Sequence, residues 1–454
     1  MTSRFGRRVR AAAVLVCLLF GSPLAAQALT IVRDAEIEEH VRAIADPIFE
    51  AAGLVPRDVS IHLVRDDRLN AFVAGGQRLF LHTGLLARTE TPEQLAGVIA
   101  HEAGHIAGGH LARQLQAREQ ALAQMAIGTV LGLAAAAAGA PELGTAIVAG
   151  GATVAERGIL AFTRAQEQAA DLAAVSHLAA LRLPPRGLIE FLSIVETRDL
   201  RIAGEGDVYR RTHPLSRERI AYLEAQEANS PFRGRTLGPE RAAAHARMRA
   251  KLDGFLADPE TVLARWSGDS LPARLARAAA LHRRGEVEEA LRLARGLVAE
   301  RPNDPYLHEL LGQILHENGR IPEAVAAYRT ALRFAPEAAL VRLALARALL
   351  ALPDERGVAE AAALAREVVR KEPRDIGALR TLGIAEGRLG RLGPASLALA
   401  EAALLARDKR EAELHLARAR RLIAPDAPGY LELLDLERAV AALPEPGPRP
   451  AGRR

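Results

Sequence analysis

Cysteine is almost missing from this chain: of its 454 residues only Cys17 is one, and it lies in an apolar run near the N-terminus. No disulfide framework can therefore hold the fold together, which has to rest on its core or on a bound metal even in an oxidising compartment. Aromatic residues are also scarce, at 4%, and alanine and leucine take their place. Mixtures of Ala, Leu, Arg and Glu favour helix, so a mainly α protein is expected. A strong excess of charge is missing too. The formal net charge is +5, and four of the arginines behind it (Arg4, Arg7, Arg8 and Arg10) precede the apolar run Ala11–Phe20 and the small-x-small site Ala26-Gln27-Ala28. That order is the pattern of a secretory signal peptide, and its core of about ten residues is half of what a spanning helix needs. Cleavage after residue 28 lowers the net charge to +1 and removes Cys17, so the basic composition gives no argument for nucleic acid as a partner.

A chain of this length calls for more than one core. Residues 29–60 carry Ile37, Val41, Ile44 and Ile48 at helical spacing. Residues 59–82 alternate as strands do, with Gly75-Gly76 between two short apolar runs as the turn of a hairpin. A helix over 92–118 is opened by Thr91-Pro92-Glu93. Two more are expected over 156–182 and 185–198, separated by Pro184-Pro185, and helical connectors over 240–266. From about residue 271 a period appears: Gly285 and Gly319, Ala290 and Ala324, and Pro302 and Pro336 are each 34 residues apart. The pattern continues to Pro373, with an insertion near Pro353–Gly357, and then to Gly390 and Ala395. A 34-residue unit with Gly in its turn, a small residue five later and Pro at its end resembles the tetratricopeptide repeat. The expected organisation is a leader (1–28), a first folded unit (29–230), a helical linker (231–270), an α-solenoid of repeats (271–440) and a disordered tail (441–454).

The chemistry points to His101-Glu102-Ala103-Gly104-His105, set among Val98, Ile99, Ala100 and Ile106. On a helix, positions i and i+4 share a face, so the two imidazoles aim at one Zn²⁺ while Glu102 stands beside them to take a proton from water. Buried unpaired in so apolar a stretch, these three polar groups would be costly. A catalytic zinc takes a third protein ligand. His110 is nine residues after His101, one short of the metzincin spacing, which falls on Leu111. Glu167 is the better candidate, and Asp171, one helical turn on, is placed to accept the outer N–H of a ligand histidine.

His101-Glu102-x-x-His105 followed by Glu167-x-x-x-Asp171 resembles the gluzincin metallopeptidases, and more narrowly the HtpX and CAAX-prenyl-protease group. Asn70-Ala71-Phe72 ahead of Gly75-Gly76, and His82-Thr83-Gly84-Leu85-Leu86, are similar to the same group. The leader and the repeats narrow the resemblance to its periplasmic, repeat-bearing branch. The resemblance implies an α+β zinc peptidase domain with a small sheet, one Zn²⁺ on His101, His105 and Glu167, and Glu102, Asp171 and His213 as the residues of catalysis. Substrates would add as a strand beside Asn70–Ala74. Thr212-His213-Pro214-Leu215, with Arg219-Ile220, matches a segment whose histidine can block the metal, implying reversible self-inhibition; His213 or Arg219 stabilising the oxyanion is the other role open to this segment. The implied function is periplasmic degradation of unfolded or misassembled outer-membrane polypeptides, with the repeats docking on the outer-membrane assembly machinery; a repeat-based chaperone with a mostly silent metal site is the alternative. Ala169 and Thr163 depart from the residues frequent in the group, and neither is a ligand.

One stretch is left over. Met125 to Pro141 and Leu143 to Ala155 are almost wholly apolar and rich in Ala and Gly. Two readings stand: a pair of helices packed over the active site, or a hairpin that touches the outer-membrane face or gates substrate entry.

Overall fold

A computed structural model describes residues 29–138, 140–199 and 208–445. The expected leader, and the expected tail from residue 446 on, lie outside them. Strand β1 (Ile31–Val32) leads into helix α1 (Ala35–Ala51). The Asp34 carboxylate caps α1 by accepting from the Ile37 N–H, and Ile37, Val41, Ile44 and Ile48 form its buried stripe. The expected helix over 29–60 is thus shorter at both ends. A strand precedes it, and Pro56–Asp58 form a 3₁₀ turn.

Strands β2 (Ser60–Val64), β3 (Ala71–Ala74) and β4 (Arg78–His82) complete a four-stranded sheet in the order β1-β2-β4-β3. β2 and β4 are parallel, while β3 and β4 form the expected antiparallel hairpin, with Ala71 opposite Leu81 and Ala74 opposite Arg78. Gly75 and Gly76 take φ of +55° and +96° in the turn, a conformation that favours glycine. β3 is an edge strand.

A short helix α2 (Thr83–Arg88) leads to α3 (Pro92–Ala107), which carries the His-Glu-His motif. Thr91 caps α3 through the Gln94 N–H, with Pro92 in the first turn. The helix expected over 92–118 breaks at Gly108-Gly109, where Gly109 adopts φ +60°. A new helix, α4, runs from His110 to Ala137, and α5 spans Pro141–Ala180, so the helix expected from 156 begins fifteen residues earlier. α6 (Arg186–Asp199), α7 (Val208–Thr212) and α8 (Arg217–Ala228) close the core of the first unit. Glycine permits two close crossings here: a Cβ on Gly97 would meet the Leu188 backbone N at 2.5 Å, and one on Gly104 the Ala170 carbonyl oxygen at 3.0 Å.

α9 (Pro239–Leu256), within the expected linker, is packed on both sides. Its Met248 and Leu252 belong to the core of the first unit, and its Ala250 to the core of the repeats. α10 (Pro259–Arg265) follows. Five helix pairs then form the solenoid: α11 (Leu271–Arg283) with α12 (Val287–Glu300), α13 (Pro305–Glu317) with α14 (Ile321–Phe334), α15 (Ala339–Leu350) with α16 (Glu355–Lys371), α17 (Ile376–Arg388) with α18 (Leu392–Leu405), and α19 (Lys409–Leu422) with α20 (Tyr430–Ala441). Gly285, Gly319 and Gly390 sit at +80°, +76° and +74° in the turns inside pairs, and Ala290 and Ala324 are fully buried where paired helices meet. The insertion near Pro353–Gly357 lies at the start of α16, which has 17 residues where α12 and α14 have 14. The result is mainly helix with one small sheet, as the composition suggests.

Candidate metal centre

α3 is buried from Gln94 to Gly104, so the motif lies inside the domain rather than on its surface. His101 and His105 point from one face, and the close crossing at Gly104 brings α5 alongside. α5 carries Glu167 and Asp171 one turn apart on its buried face. His101, Glu102, Glu167 and Asp171 are each no more than 2% exposed.

The donor atoms converge. His101 Nε2 lies 3.1 Å from His105 Nε2 and 3.4 Å from Glu167 Oε2, and His105 Nε2 is 3.3 Å from Glu167 Oε1. His213, from the turn after α7, supplies a fourth atom: its Nδ1 is 3.3 Å from His101 Nε2 and 3.3 Å from both Glu167 oxygens. Ligands held about 2.0–2.1 Å from one tetrahedral centre are roughly 3.3 Å apart, so the set fits a four-coordinate cation. Two nitrogen lone pairs and a carboxylate this close need positive charge between them. In the protein alone a proton takes that place. Burial by itself would lower the His101 pKa, but hydrogen bonds to Asp171 and Glu167 push it up to about 9. Burial likewise opposes ionisation of Glu167, yet its contacts with His101, His105 and His213 hold it far below the usual carboxylate range. Glu102 gives a second sign of fit: both its carboxylate oxygens are buried without a hydrogen bond, and Oε1 lies 3.4 Å from His213 Nε2, as expected of a group left open to a water and a substrate.

The ligands are themselves held. His101 Nδ1–H donates to Asp171 Oδ1 at 2.9 Å, which leaves Nε2 free for a metal. Asp171 is clamped by Arg219 of α8, through Nε at 2.6 Å and Nη2 at 2.9 Å. Burial works against the Asp171 carboxylate, but Arg219 and His101 hold its pKa down. The third guanidinium nitrogen, Nη1, reaches Glu167 Oε2 at 2.8 Å and the Pro214 carbonyl at 2.9 Å. All three nitrogens of Arg219 are thus engaged and the residue is 2% exposed, so it positions Asp171 and Glu167 and is not free to meet an oxyanion, as the sequence had suggested. His110, excluded as a ligand by its spacing, stands behind the other imidazole: its Nδ1 is 2.9 Å from His105 Nδ1 and accepts that N–H. Burial and the neighbouring His105 lower the His110 pKa to about 4, so it is neutral in this role. Neither Arg219 nor His110 follows from motif spacing alone; the Gly108-Gly109 pair, which bends the chain back, is the one sequence signal for His110.

His213 also touches the sheet. Its Nε2 lies 3.3 Å from the Ala71 carbonyl on the edge strand β3, and its ring stacks on Tyr209 at 4.7 Å between centroids. An Nε2–H bonded to that carbonyl leaves Nδ1 with its lone pair toward the cluster. The segment from Tyr209 to Pro214 therefore covers both the metal corner and part of the strand edge. Clefts of about 570 and 690 Å³ open elsewhere, where β1, α1 and α9 face the repeats.

Comparison with known proteins agrees with this geometry. Residues 32–227 match the profile of peptidase family M48, and residues 275–339 and 309–375 match that of the tetratricopeptide repeat. A beta-barrel assembly-enhancing protease of Yersinia pestis is 25% identical over 326 residues, or 70% of this chain and 66% of that one. A putative beta-barrel assembly-enhancing protease of Vibrio cholerae is 28% identical over 246 residues, covering 54% and 47%. The beta-barrel assembly-enhancing protease of Escherichia coli is 26% identical over 191 residues, covering 42% and 39%. The chain thus spans between 39% and 66% of the length of these relatives.

Proposed function

Because residues 32–227 match peptidase family M48 and residues 275–375 the tetratricopeptide repeat, we propose that the chain is a periplasmic zinc endopeptidase that removes unfolded or misassembled outer-membrane polypeptides and so promotes β-barrel assembly. The observation that carries the hydrolytic part is the cluster of His101, His105, Glu167 and His213, whose donor atoms all lie within 4.8 Å of one another, with the buried Glu102 carboxylate, free of hydrogen bonds, beside it. Two nitrogens and a carboxylate are the donor set of a catalytic zinc. Export rests on the leader-like first 28 residues. The link to β-barrel assembly rests on the names of the relatives.

His101, His105 and Glu167 would hold the ion, and His213 would take the position that a catalytic site keeps open for water. Held there, a zinc ion would supply Lewis acidity, making a water more acidic and a scissile carbonyl more electrophilic. Glu102 then takes the proton and passes it to the leaving amine. Asp171 keeps His101 in the tautomer that presents Nε2, and Arg219 holds Asp171. The substrate enters extended along β3, pairing its main chain with the strand edge, a mode that selects unfolded segments rather than a sequence. His213 releases the metal corner and the Ala71 carbonyl together, so the same segment blocks both needs of the substrate. The repeats present the surface for a protein partner, here the outer-membrane assembly machinery.

Replacing Glu102 by Gln keeps the shape of the site and removes its base. Casein cleavage by E102Q should fall by roughly 10²–10⁴-fold while its metal content stays that of the wild type. Wild-type cleavage should stop with a chelator and return with zinc. Unimpaired cleavage by E102Q would overturn the mechanism. A cell that loses nothing with E102Q would place the function in the repeats.

A further inference from the structure

The α4–α5 hairpin is built inside out. Its two helices run antiparallel and meet through glycines: a Cβ on Gly132 would lie 2.5 Å from the Gly144 carbonyl oxygen, and one on Gly128 would lie 3.4 Å from the Gly151 Cα. In a soluble helix pair the large apolar side chains fill the seam. Here the seam is filled by small residues, while Leu122, Ile127, Val130, Leu133, Leu143 and Val154 point outward and are 57–66% exposed. Apolar residues surround both helices rather than forming one stripe, so no single neighbouring element could cover them. Close backbone contact through small residues with branched side chains facing out is how helices pair in lipid.

Charge follows the same division. From Gln120 to Ala155 the only charged residue is Glu142, beside the hairpin tip. At its base both helices become charged and mostly basic, with Arg113, Arg118 and Glu119 on α4 and Glu156, Arg157 and Arg164 on α5. The uncharged part of α4, Gln120–Ala137, is about 27 Å long at 1.5 Å per residue, close to the roughly 30 Å of a bilayer core. Both helices are long and apolar enough to cross a membrane, and only 17% and 6% of their most apolar windows are buried.

We propose that this hairpin inserts into a lipid bilayer, with its arginine base at the layer of headgroup phosphates. A lipid surface fits where a protein groove does not, because the apolar area is all-round, the uncharged length matches a bilayer core, and the basic collar falls at the level where phosphates would lie. His110 opens α4 and also supports His105, so insertion would hold the metal centre about 15 Å from the hydrocarbon boundary, ten residues along the helix. Polypeptide leaving or failing to enter the membrane would then meet β3 directly.

The test uses residues 29–454, with their natural lack of cysteine, and vesicles of phosphatidylethanolamine and phosphatidylglycerol. The wild type should float with the vesicles in a density gradient. A triple variant, Ile127→Asp, Leu131→Asp and Val154→Asp, all at outward-facing positions, should float at least tenfold less while keeping wild-type melting temperature and casein cleavage. A fluorophore on a cysteine introduced at Leu131 should be quenched by nitroxides on the acyl chains, and one at Arg118 should not. Wild type left at the bottom of the gradient, undiminished flotation of the variant, or a Leu131 label indifferent to the acyl-chain quencher would each overturn the proposal. So would vesicle-independent self-association without flotation, which would assign the face to a second copy of the chain. Flotation does not require catalysis, so the peptidase reading and this one can fail separately.

Discussion

At the scale of single residues, the donor types and their spacing were legible in the sequence because a helix face converts i and i+4 into neighbours: His101 with His105, and Glu167 with Asp171. What spacing could not show is how each ligand is held. The Arg219 clamp on Asp171 joins residues 48 apart, and the His110 contact depends on a glycine kink between two helices that one apolar pattern had merged. His213 is the residue whose role the geometry sharpens. With Nε2 on the Ala71 carbonyl and Nδ1 facing His101 and Glu167, it stands where a fourth ligand would. His213→Ala should therefore raise casein turnover several-fold and increase self-cleavage, since an enzyme present mostly in a blocked state gains what the block withheld. The steady-state rate of purified protein is the measurement; a rate equal to or below the wild type would make His213 an aid to catalysis instead.

At the scale of elements, the crossing of α3 and α5 decides whether Glu167 reaches the histidines. Gly104 lies inside the motif, and a Cβ there would stand 3.0 Å from both the Ala170 carbonyl oxygen and the Ala173 Cβ. Gly104→Val should push the helices apart, cost about 1–3 kcal/mol by overpacking and weaken zinc binding. Thermal melting and a zinc titration check this; unchanged melting and affinity would show that the crossing tolerates the side chain. The hairpin and repeat helices could be read because their signals are local, a Gly-Gly turn and a fixed 34-residue offset. The length of α5 could not: no proline or charge cluster marks position 156 as interior, and the loss of charge before it looked like a boundary.

At the scale of the whole molecule, α9 couples peptidase to repeats. Lys251 on α9 reaches Asp34 at 2.8 Å and Glu36 and Glu309 at 3.4 Å each, and Arg247 holds Glu36 at 2.6 Å and also pairs with Asp304. Arg33, next to β1, bridges to Glu372 at 2.8 Å and Asp375 at 3.0 Å. Asp34 and Glu36 belong to the peptidase side, Asp304 and Glu309 to the repeats, so the junction is an ionic seam, buried at Lys251 and Glu36 and half-open at Arg33, with more acids than bases. Burial, with Asp34 and Glu36 close by, pushes the Glu309 carboxyl up to about 7 in spite of Lys251. A raised carboxyl pKa means that the folded state holds a proton the unfolded chain releases. Stability is then greatest below the unfolded value near 4.5 and falls as pH rises toward 7. Glu309→Gln escapes that loss, so its melting temperature relative to the wild type should be higher at pH 8 than at pH 5; no dependence on pH would show that Lys251 compensates the charge fully. All of this frames one claim, that a single zinc sits between α3 and α5. The direct measurement is metal content by plasma mass spectrometry of the wild type and of His101→Ala and Glu167→Ala, each after dialysis against zinc and then buffer. One zinc per chain in the wild type and almost none in either variant is the predicted result. Equal zinc in all three, or none in a wild type that still cleaves casein, would contradict it.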